Sequence, residues 1–312
     1  MPALTFDIFT NAASGQALSV GNPQPHLHQA NFNHDDLNQH WLRVDQNGDL
    51  LNRGVTPQLI LSRTWSQAID VVDLQFFNGN DLQQYPVNSG PNQLWSVNHL
   101  SDDPHSDART IVCRDPASDP TAPKYYAIDT PYGHANENPH IWLLHEQANQ
   151  QWTLDPDPIG ASAFKIHSLL GSAVLDVPNG SQDQNVAIQQ FEDAGAICFN
   201  QYWEIVSADG AGIDNIEDVS SGDSLRIRSV CNGLLLQPQS AGEIALVVQK
   251  PFGGALDQLW RLTGNNAGWK IESRLSPGFV LDVQNNDPGN HAVIQVYPDK
   301  NGAPNQQWVF AG

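Results

Sequence analysis

Lysine, methionine and cysteine are scarce in this chain, and their scarcity narrows its function before any motif is read. Lys and Arg together number 14 against 34 Asp and Glu, a formal net charge of −20. A protein that binds nucleic acid neutralises phosphate with cations, so this balance excludes nucleic acid as a partner. It equally excludes electrostatic capture by an anionic membrane surface. The three cysteines, Cys113, Cys198 and Cys231, form no Cys-x-x-Cys pair, and their odd number does not suggest a disulfide framework. No apolar run is long enough to span a bilayer. The first residues hold neither a basic segment nor a long apolar stretch, so no secretory signal is visible. The expectation is a protein made in the cytosol, or one released by a route without a signal peptide. Charged residues make up only 15%, against roughly a quarter in an average protein. The polar surface therefore comes from Asn, Gln, Ser, Thr and Asp. Good helix formers are few while Gly, Pro, Asn and Asp are plentiful, which reads as many short strands joined by turns.

What the chain does contain is a repeat. Six of its nine tryptophans follow a glutamine by two positions: Asn38-Gln-His-Trp41, Asn92-Gln-Leu-Trp95, Asn149-Gln-Gln-Trp152, Asn200-Gln-Tyr-Trp203, Asp257-Gln-Leu-Trp260 and Asn305-Gln-Gln-Trp308. Successive tryptophans lie 54, 57, 51, 57 and 48 residues apart. Chance would produce this association with a probability on the order of 10⁻⁵ even before the spacing is considered. Upstream of the motif comes an apolar-Asp-apolar triplet, as in Leu175-Asp-Val177 and Leu281-Asp-Val283, then a turn, then a strand such as Val186–Phe191 or Ala292–Tyr297. The alternation in these strands predicts one buried and one exposed face. Asp155-Pro-Asp-Pro158 follows the third motif, and proline at alternate positions is foreign to a sheet interior. The expected division is therefore residues 1–155 and 156–312, three repeats in each.

Three Gln-x-Trp units of about fifty residues per domain resemble the ricin-B-type lectins. The resemblance covers nearly the whole chain, about residues 4–154 and 160–312. It implies an all-β protein of two tandem β-trefoil domains, with the six tryptophans in the core. It also implies a sugar site in each intact repeat. There an Asp accepts from two vicinal hydroxyls, an aromatic side chain fifteen positions later stacks on the ring, and a Gln two before the aromatic assists. The Asn ahead of the Gln-x-Trp donates to a hydroxyl. The residue types suit sugar chemistry, since a carboxylate makes charge-assisted hydrogen bonds and an aromatic ring covers the C–H face of a pyranose such as galactose.

Three repeats carry the full quartet. The second has Asp70, Gln83, Tyr85 and Asn92; the fourth has Asp176, Gln189, Phe191 and Asn200; the sixth has Asp282, Gln295, Tyr297 and Asn305. The third has Asp129, but Leu144 stands fifteen residues on, with Trp142 or His145 as candidate substitutes. The first has Ser19 in place of Asp and Asn31 at the aromatic position. The fifth has Gln237 in place of Asp and Lys250 at the aromatic position. Repeats 1 and 5 are expected to be structural. If the acids serve only the ligand, replacing Asp70, Asp176 and Asp282 by Ala abolishes binding and leaves the fold intact.

No nucleophile elbow, metalloprotease motif, phosphate loop or dinucleotide fingerprint occurs, so no enzyme and no cofactor is expected. His26, His28 and His34 cluster without a carboxylate or cysteine pattern, and the Asp-rich segment around His99 and His105 lacks calcium-loop spacing; neither predicts a metal site. The reading is a multivalent lectin for galactose- or N-acetylgalactosamine-containing glycans on glycoproteins or glycolipids. It would act in defence against foreign glycans, without nucleic acid and without membrane insertion. A homodimer is left open. Two other classes remain open as well: a β-trefoil protease inhibitor acting through a long loop from Ser101 to Lys124, and the glycan-recognition component of a multi-chain toxin.

Overall fold

The structure, a computed structural model, describes residues 5–21, 25–45, 57–100, 107–158 and 163–311. Every regular element in it is a β-strand or a three-residue 3-10 turn. The chain divides into two compact units, one of them Thr5–Pro158 and the other beginning its main segment at Ile159. Among the described residues each unit carries twelve strands, four per repeat.

In the first unit, repeat 1 supplies β1 (Thr5–Asn11), β2 (Gln16–Val20), β3 (Leu27–Asn31) and β4 (His40–Asp45). Repeat 2 supplies β5 (Gln58–Ser62), β6 (Ala68–Val71), β7 (Asn80–Tyr85) and β8 (Ser96–His99). Repeat 3 supplies β9 (Arg109–Arg114), β10 (Tyr125–Asp129), β11 (His140–Leu143) and β12 (Trp152–Pro158). The outer two strands of each repeat close a six-stranded barrel. β1 pairs β4, β4 pairs β5, a bridge from Gln58 to Trp95 links β5 to the foot of β8, and β8–β9, β9–β12 and β12–β1 complete the ring. The inner two strands of each repeat form a hairpin, and the hairpins join one another through β7–β11 and the His26–Gln83 bridge.

The second unit repeats the plan. Repeat 4 contributes β13 (Ala163–Ser168), β14 (Val174–Asp176), β15 (Gln189–Phe191) and β16 (Trp203–Ser207). Repeat 5 contributes β17 (Ser224–Ser229), β18 (Leu235–Pro238), β19 (Ala245–Lys250) and β20 (Trp260–Asn265). Repeat 6 contributes β21 (Gly268–Ser273), β22 (Phe279–Val283), β23 (Ala292–Pro298) and β24 (Trp308–Ala311). Here the ring β13–β16–β17–β20–β21–β24–β13 closes through direct pairing at every step. Closure removes the unpaired edges that an open sheet would leave. Both units are β-trefoils.

The Gln-x-Trp motif explains why six stretches of different sequence fold alike. All six motif tryptophans are fully buried. Each indole N–H donates to one backbone carbonyl on the first hairpin strand: Leu18, Ile69, Ile128, Leu175, Leu236 and Leu281, at 2.9–3.2 Å. That carbonyl belongs to the residue just before the Asp position of its repeat. Each motif glutamine donates Nε2 to a carbonyl at the end of the second hairpin strand: Asn31, Pro86, Leu143, Glu192, Pro251 and Pro298, at 2.7–3.1 Å. Its Oε1 accepts a backbone N–H from the loop that follows, at 2.8–3.0 Å for Asn33, Asn88, His145, Ala194, Gly253 and Lys300. One motif thus pins both strands of its hairpin, and the buried polar atoms of its Gln and Trp find partners.

The structure departs from the sequence expectations in three places. The first unit does not end at residue 155, because β12 runs on to Pro158, with Pro156 opposite Asp7 and Pro158 opposite Thr5 on β1. Past Trp152 it has no strand on its other side among the described residues, and an unpaired edge tolerates proline because no ladder N–H is needed there. Next, not every strand alternates. β2 and β5 are buried along their whole length, because their outward polar groups are covered: Gln16 by Asn31 and Asn136, and Ser62 by Gln84. Finally, Ser101–Lys124 is not one loop. Residues 101–106, with His105 among them, lie outside the described residues, and β9 occupies Arg109–Arg114 in its middle.

Removing one indole should therefore cost both packing and a buried hydrogen bond. Trp95→Ala is expected to lower the unfolding free energy of the first unit by about 3–5 kcal/mol, measured by urea denaturation; a loss below about 1 kcal/mol would contradict the clamp.

Candidate functional site

The hairpin register brings the quartets together. On β6 and β7, Asp70 faces Gln83 and Ala68 faces Tyr85. On β14 and β15, Asp176 faces Gln189 and Val174 faces Phe191. On β22 and β23, Asp282 faces Gln295 and Val280 faces Tyr297. In each, the carboxylate lies buried, at 2%, 3% and 1% exposure, beneath a more exposed aromatic ring. Asp70 Oδ1 accepts Gln83 Nε2 at 3.0 Å, and its Oδ2 accepts Asn92 Nδ2 at 2.7 Å and Gln93 Nε2 at 3.0 Å. Asp176 repeats this with Gln189 at 2.7 Å, Asn200 at 2.8 Å and Gln201 at 3.2 Å. Asp282 does so with Gln295 at 2.8 Å, Asn305 at 2.8 Å and Gln306 at 2.9 Å. A carboxylate offers about four acceptor positions. Three are taken by protein amides, which leaves one on Oδ1 for a ligand hydroxyl.

Two roles differ from those expected. The motif asparagine cannot donate to a ligand, because its amide is already engaged. Asn92, Asn200 and Asn305 each bond the Asp and also the carbonyl of Val71, Val177 or Val283. What it can offer is its carbonyl oxygen, and Asn305 Oδ1 has no partner among the described residues. The aspartate, in turn, is structural as well as accessible in part to a ligand. It receives the motif glutamine, so Asp→Ala would strand three buried or half-buried amide donors and would not leave the fold untouched.

Repeat 3 proves more complete than its sequence spacing suggests. Asp129 faces His140, and Ala127 faces Trp142, so Trp142, and not Leu144, occupies the aromatic position. The motif confirms the register: Gln150 donates to the carbonyl of Leu143, the residue after Trp142, as Gln93 does to the residue after Tyr85. The hairpin is two residues shorter, so counting forward from the Asp overshoots. A backward count from the motif Asn varies too, being seven to Tyr85 and Trp142 but nine to Phe191 and eight to Tyr297, so strand pairing is what locates the position. Asn149 Nδ2 donates to Asp129 Oδ2 at 2.9 Å. A cavity of about 470 Å³ opens here, and Asp129, Tyr132, His140, Trp142, His145 and Asn149 line much of it. A shared turn marks the same four repeats. The residue three after each Asp, namely Asp73, Tyr132, Asn179 or Asn285, sits in the left-handed region at φ 54–60°.

Repeats 1 and 5 lack this arrangement of Asp and aromatic residue. Ser19 faces His28, and Ala17 faces Ala30; the aromatic position is therefore Ala30, one residue before Asn31. In repeat 5, Gln237 faces Val248 and Leu235 faces Lys250, which keeps Lys250 where an aromatic would stand. Gln258 bonds Gln237 Oε1 at 3.1 Å in place of a carboxylate. Among the described residues, no group of three or more His, Cys, Asp and Glu is arranged to hold a metal ion.

Burial raises the Asp70 carboxyl above its ordinary range, only partly offset by the amides of Gln83 and Gln93, with nearby Asp73 adding to the rise. Burial likewise raises Asp176, against the pull of Gln189, Gln201, His291 and Asn200. His291 comes from repeat 6: its ring meets Phe191 edge-on at 5.0 Å, and its Nδ1 lies 3.1 Å from Gln189 Oε1.

A family model described as ricin-type beta-trefoil lectin domain-like matches residues 148–228, 199–297 and 256–312, together more than half of the chain. The chain belongs to this family. Membership supports carbohydrate binding. Among curated proteins, Volkensin of Adenia volkensii is 23% identical over 282 residues, covering 86% of this chain and 50% of that protein. The chain thus spans about half the length of the curated relative it matches. Among solved structures, the designed 3-fold symmetric protein ThreeFoil is 25% identical with a TM-score of 0.41, over 48% of this chain and 98% of that one. The earthworm R-type lectin C-half, solved in complex with GalNAc, is 22% identical with a TM-score of 0.35, over 47% and 96%.

Two outcomes follow for the carboxylates. Asp282→Ala should destabilise the second unit by about 2–4 kcal/mol through its stranded donors; an unchanged urea midpoint would show the acid to be free of structural duty. For Asp70, the folded state holds its proton more tightly than the unfolded chain does. Its contribution is then least favourable above the raised value and grows as the pH falls through it. Wild type should gain stability relative to Asp70→Asn between about pH 7 and about pH 4, followed by urea unfolding at each pH. A gap that moves the other way would reverse the assignment.

Proposed function

We propose that this chain is a multivalent lectin without catalytic activity, and that it binds glycans carrying galactose or N-acetylgalactosamine through repeats 2, 4 and 6 and through repeat 3. The observation that carries this reading is the repeated arrangement of a buried carboxylate with an open acceptor position beside a more exposed aromatic ring. Asp70, Asp176 and Asp282 would each accept from one ring hydroxyl at Oδ1, while Tyr85, Phe191 and Tyr297 would cover the apolar face of the sugar. An axial hydroxyl leaves galactose with a continuous C–H patch on one face, which suits an aromatic platform. A wrong epimer leaves a polar group without a partner, and that penalty supplies selectivity.

Glycoside hydrolysis needs two carboxyl groups flanking the bond, one of them an acid. Here each buried aspartate is ringed by amide N–H groups or by imidazole and acts as an acceptor. Single shallow sites bind weakly, and several on one chain raise the apparent affinity for a surface of clustered glycans. Agglutination of cells that display galactosides is the expected result.

A glycan array, with free galactose, N-acetylgalactosamine and glucose as competitors, tests the reading. Galactosides should compete and glucose should not. Tyr297→Ala, which removes a partly exposed ring and the Lys300 ammonium contact on its face at 4.2 Å, should weaken its own site about tenfold with unchanged circular dichroism. Full binding by a chain lacking Tyr85, Trp142, Phe191 and Tyr297 together would sink the assignment.

A further inference from the structure

Repeat 3 differs from its three counterparts in what surrounds its carboxylate. Elsewhere Oδ1 of the aspartate accepts a glutamine amide and Oδ2 accepts two amides, all within 3.2 Å. In repeat 3 the motif glutamine, Gln150, keeps the shared bond to the Leu143 carbonyl but, among the described residues, donates no second bond to Asp129. Asn149 is left as the amide that bonds Asp129, at 2.9 Å. Two imidazoles stand where the other amides would be. His140 occupies the register position of Gln83, with Nε2 3.4 Å from Asp129 Oδ1, and His145 Nε2 lies 3.5 Å from Oδ2. Both distances exceed those of an ordinary N–H···O bond, about 2.7–3.2 Å, so the carboxylate keeps acceptor capacity on both oxygens.

We propose that His140 and His145 make repeat 3 an acid-released sugar site: it holds its ligand while the imidazoles are neutral and loses it once they carry a proton. The inference rests on the lectin reading above and concerns how one of its sites is controlled. An imidazolium is a donor at both nitrogens, and with a carboxylate it makes a charge-assisted bond that is shorter and about twice as strong as a neutral one. Two imidazolium groups on Oδ1 and Oδ2 would occupy the acceptor positions that sugar hydroxyls need. Histidine is the side chain whose charge ordinarily changes between about pH 5 and pH 8.

The other groups around Asp129 do not provide a competing switch. Among the described residues the cavity is lined by no Lys or Arg, and its titratable side chains are Asp129, Tyr132, His140 and His145. On the turn after β10, His134 packs against Tyr132 with ring centres 5.8 Å apart. Across the sheet, Asp81 of β7 stands opposite His140, and Glu146 follows His145 on the loop to the motif. The turn Ala148–Gln150 and the end of β1 bring no titratable group to the cavity.

Site-resolved NMR of the full ¹⁵N-labelled chain, titrated with methyl β-galactoside, tests this. The Trp142 indole N–H reports repeat 3. The Gln295 side-chain amide reports repeat 6, where the carboxylate is held by amides. Between about pH 7.5 and about pH 5.5, the Kd at Trp142 should rise about tenfold more than the Kd at Gln295. In His140→Gln/His145→Gln, which restores an amide at the Gln83 position, the two should change together. An equal pH response at both sites in the wild type, or a pH response that survives in the double variant, overturns the proposal. Shifts at Gln295 without shifts at Trp142 at the higher pH overturn it alone, whereas no shift anywhere overturns the galactoside reading as well.

Discussion

Everything in this molecule depends on a pair of hydrogen bonds made six times over. An indole N–H takes the carbonyl before the aspartate position, and a glutamine amide takes the carbonyl after the aromatic position. Both acceptors are main-chain groups, so the clamp does not depend on which side chains the hairpin carries. In an all-β unit the hydrophobic pattern and the turns also set strand register, and the motif adds a fixed point to each hairpin. With that point fixed, the hairpin loop is free to vary in length. That is how repeat 3, with a hairpin two residues shorter, still sets Trp142 beside Asp129.

The clamp also separates what the fold needs from what a ligand needs. Repeat 5 has Gln237, Val248 and Lys250 where its counterparts have Asp, Gln and an aromatic residue, yet Gln258 and Trp260 make the same two bonds as every other motif. Repeat 1 has Ser19, His28 and Ala30 and is clamped by Gln39 and Trp41 in the same way. Where the aspartate is retained, it is drawn into the clamp through the motif asparagine and, in repeats 2, 4 and 6, the motif glutamine. Buried charge and ligand acceptor are then one group, which ties the strength of the site to the integrity of the turn.

The architecture was legible in the sequence because a bulky, rare residue marks each repeat at a fixed offset from glutamine. The quartets of repeats 2, 4 and 6 were readable for the same reason: their hairpins have equal length, so a count of thirteen and fifteen from the aspartate lands on Gln and the aromatic. Repeat 3 escaped that count, and so did Ala30, since a forward count assumes a hairpin length that only strand pairing reveals. The direction in which Asn92, Asn200 and Asn305 turn their amides was beyond sequence reading altogether. It depends on a neighbouring valine carbonyl that composition and spacing do not locate. Proline at 156 and 158 misled for a related reason: its cost depends on whether a second strand lies alongside, and that is a property of the barrel.

The closing pair of the first barrel has one further consequence. There β1 is sealed by β12, residue by residue from Thr5 opposite Pro158 to Asn11 opposite Trp152. The opening segment of the unit therefore finds its main partner only after the last segment has been made. On a ribosome adding about 5–20 residues per second, β1 waits several seconds with an unsatisfied edge, although repeat 1 can already set its own clamp. Such late, long-range closure makes for slow folding, and it makes early release of an incomplete chain the moment of greatest risk of aggregation. The strong negative charge of the chain then serves a second end, keeping nascent copies apart until the ring can shut.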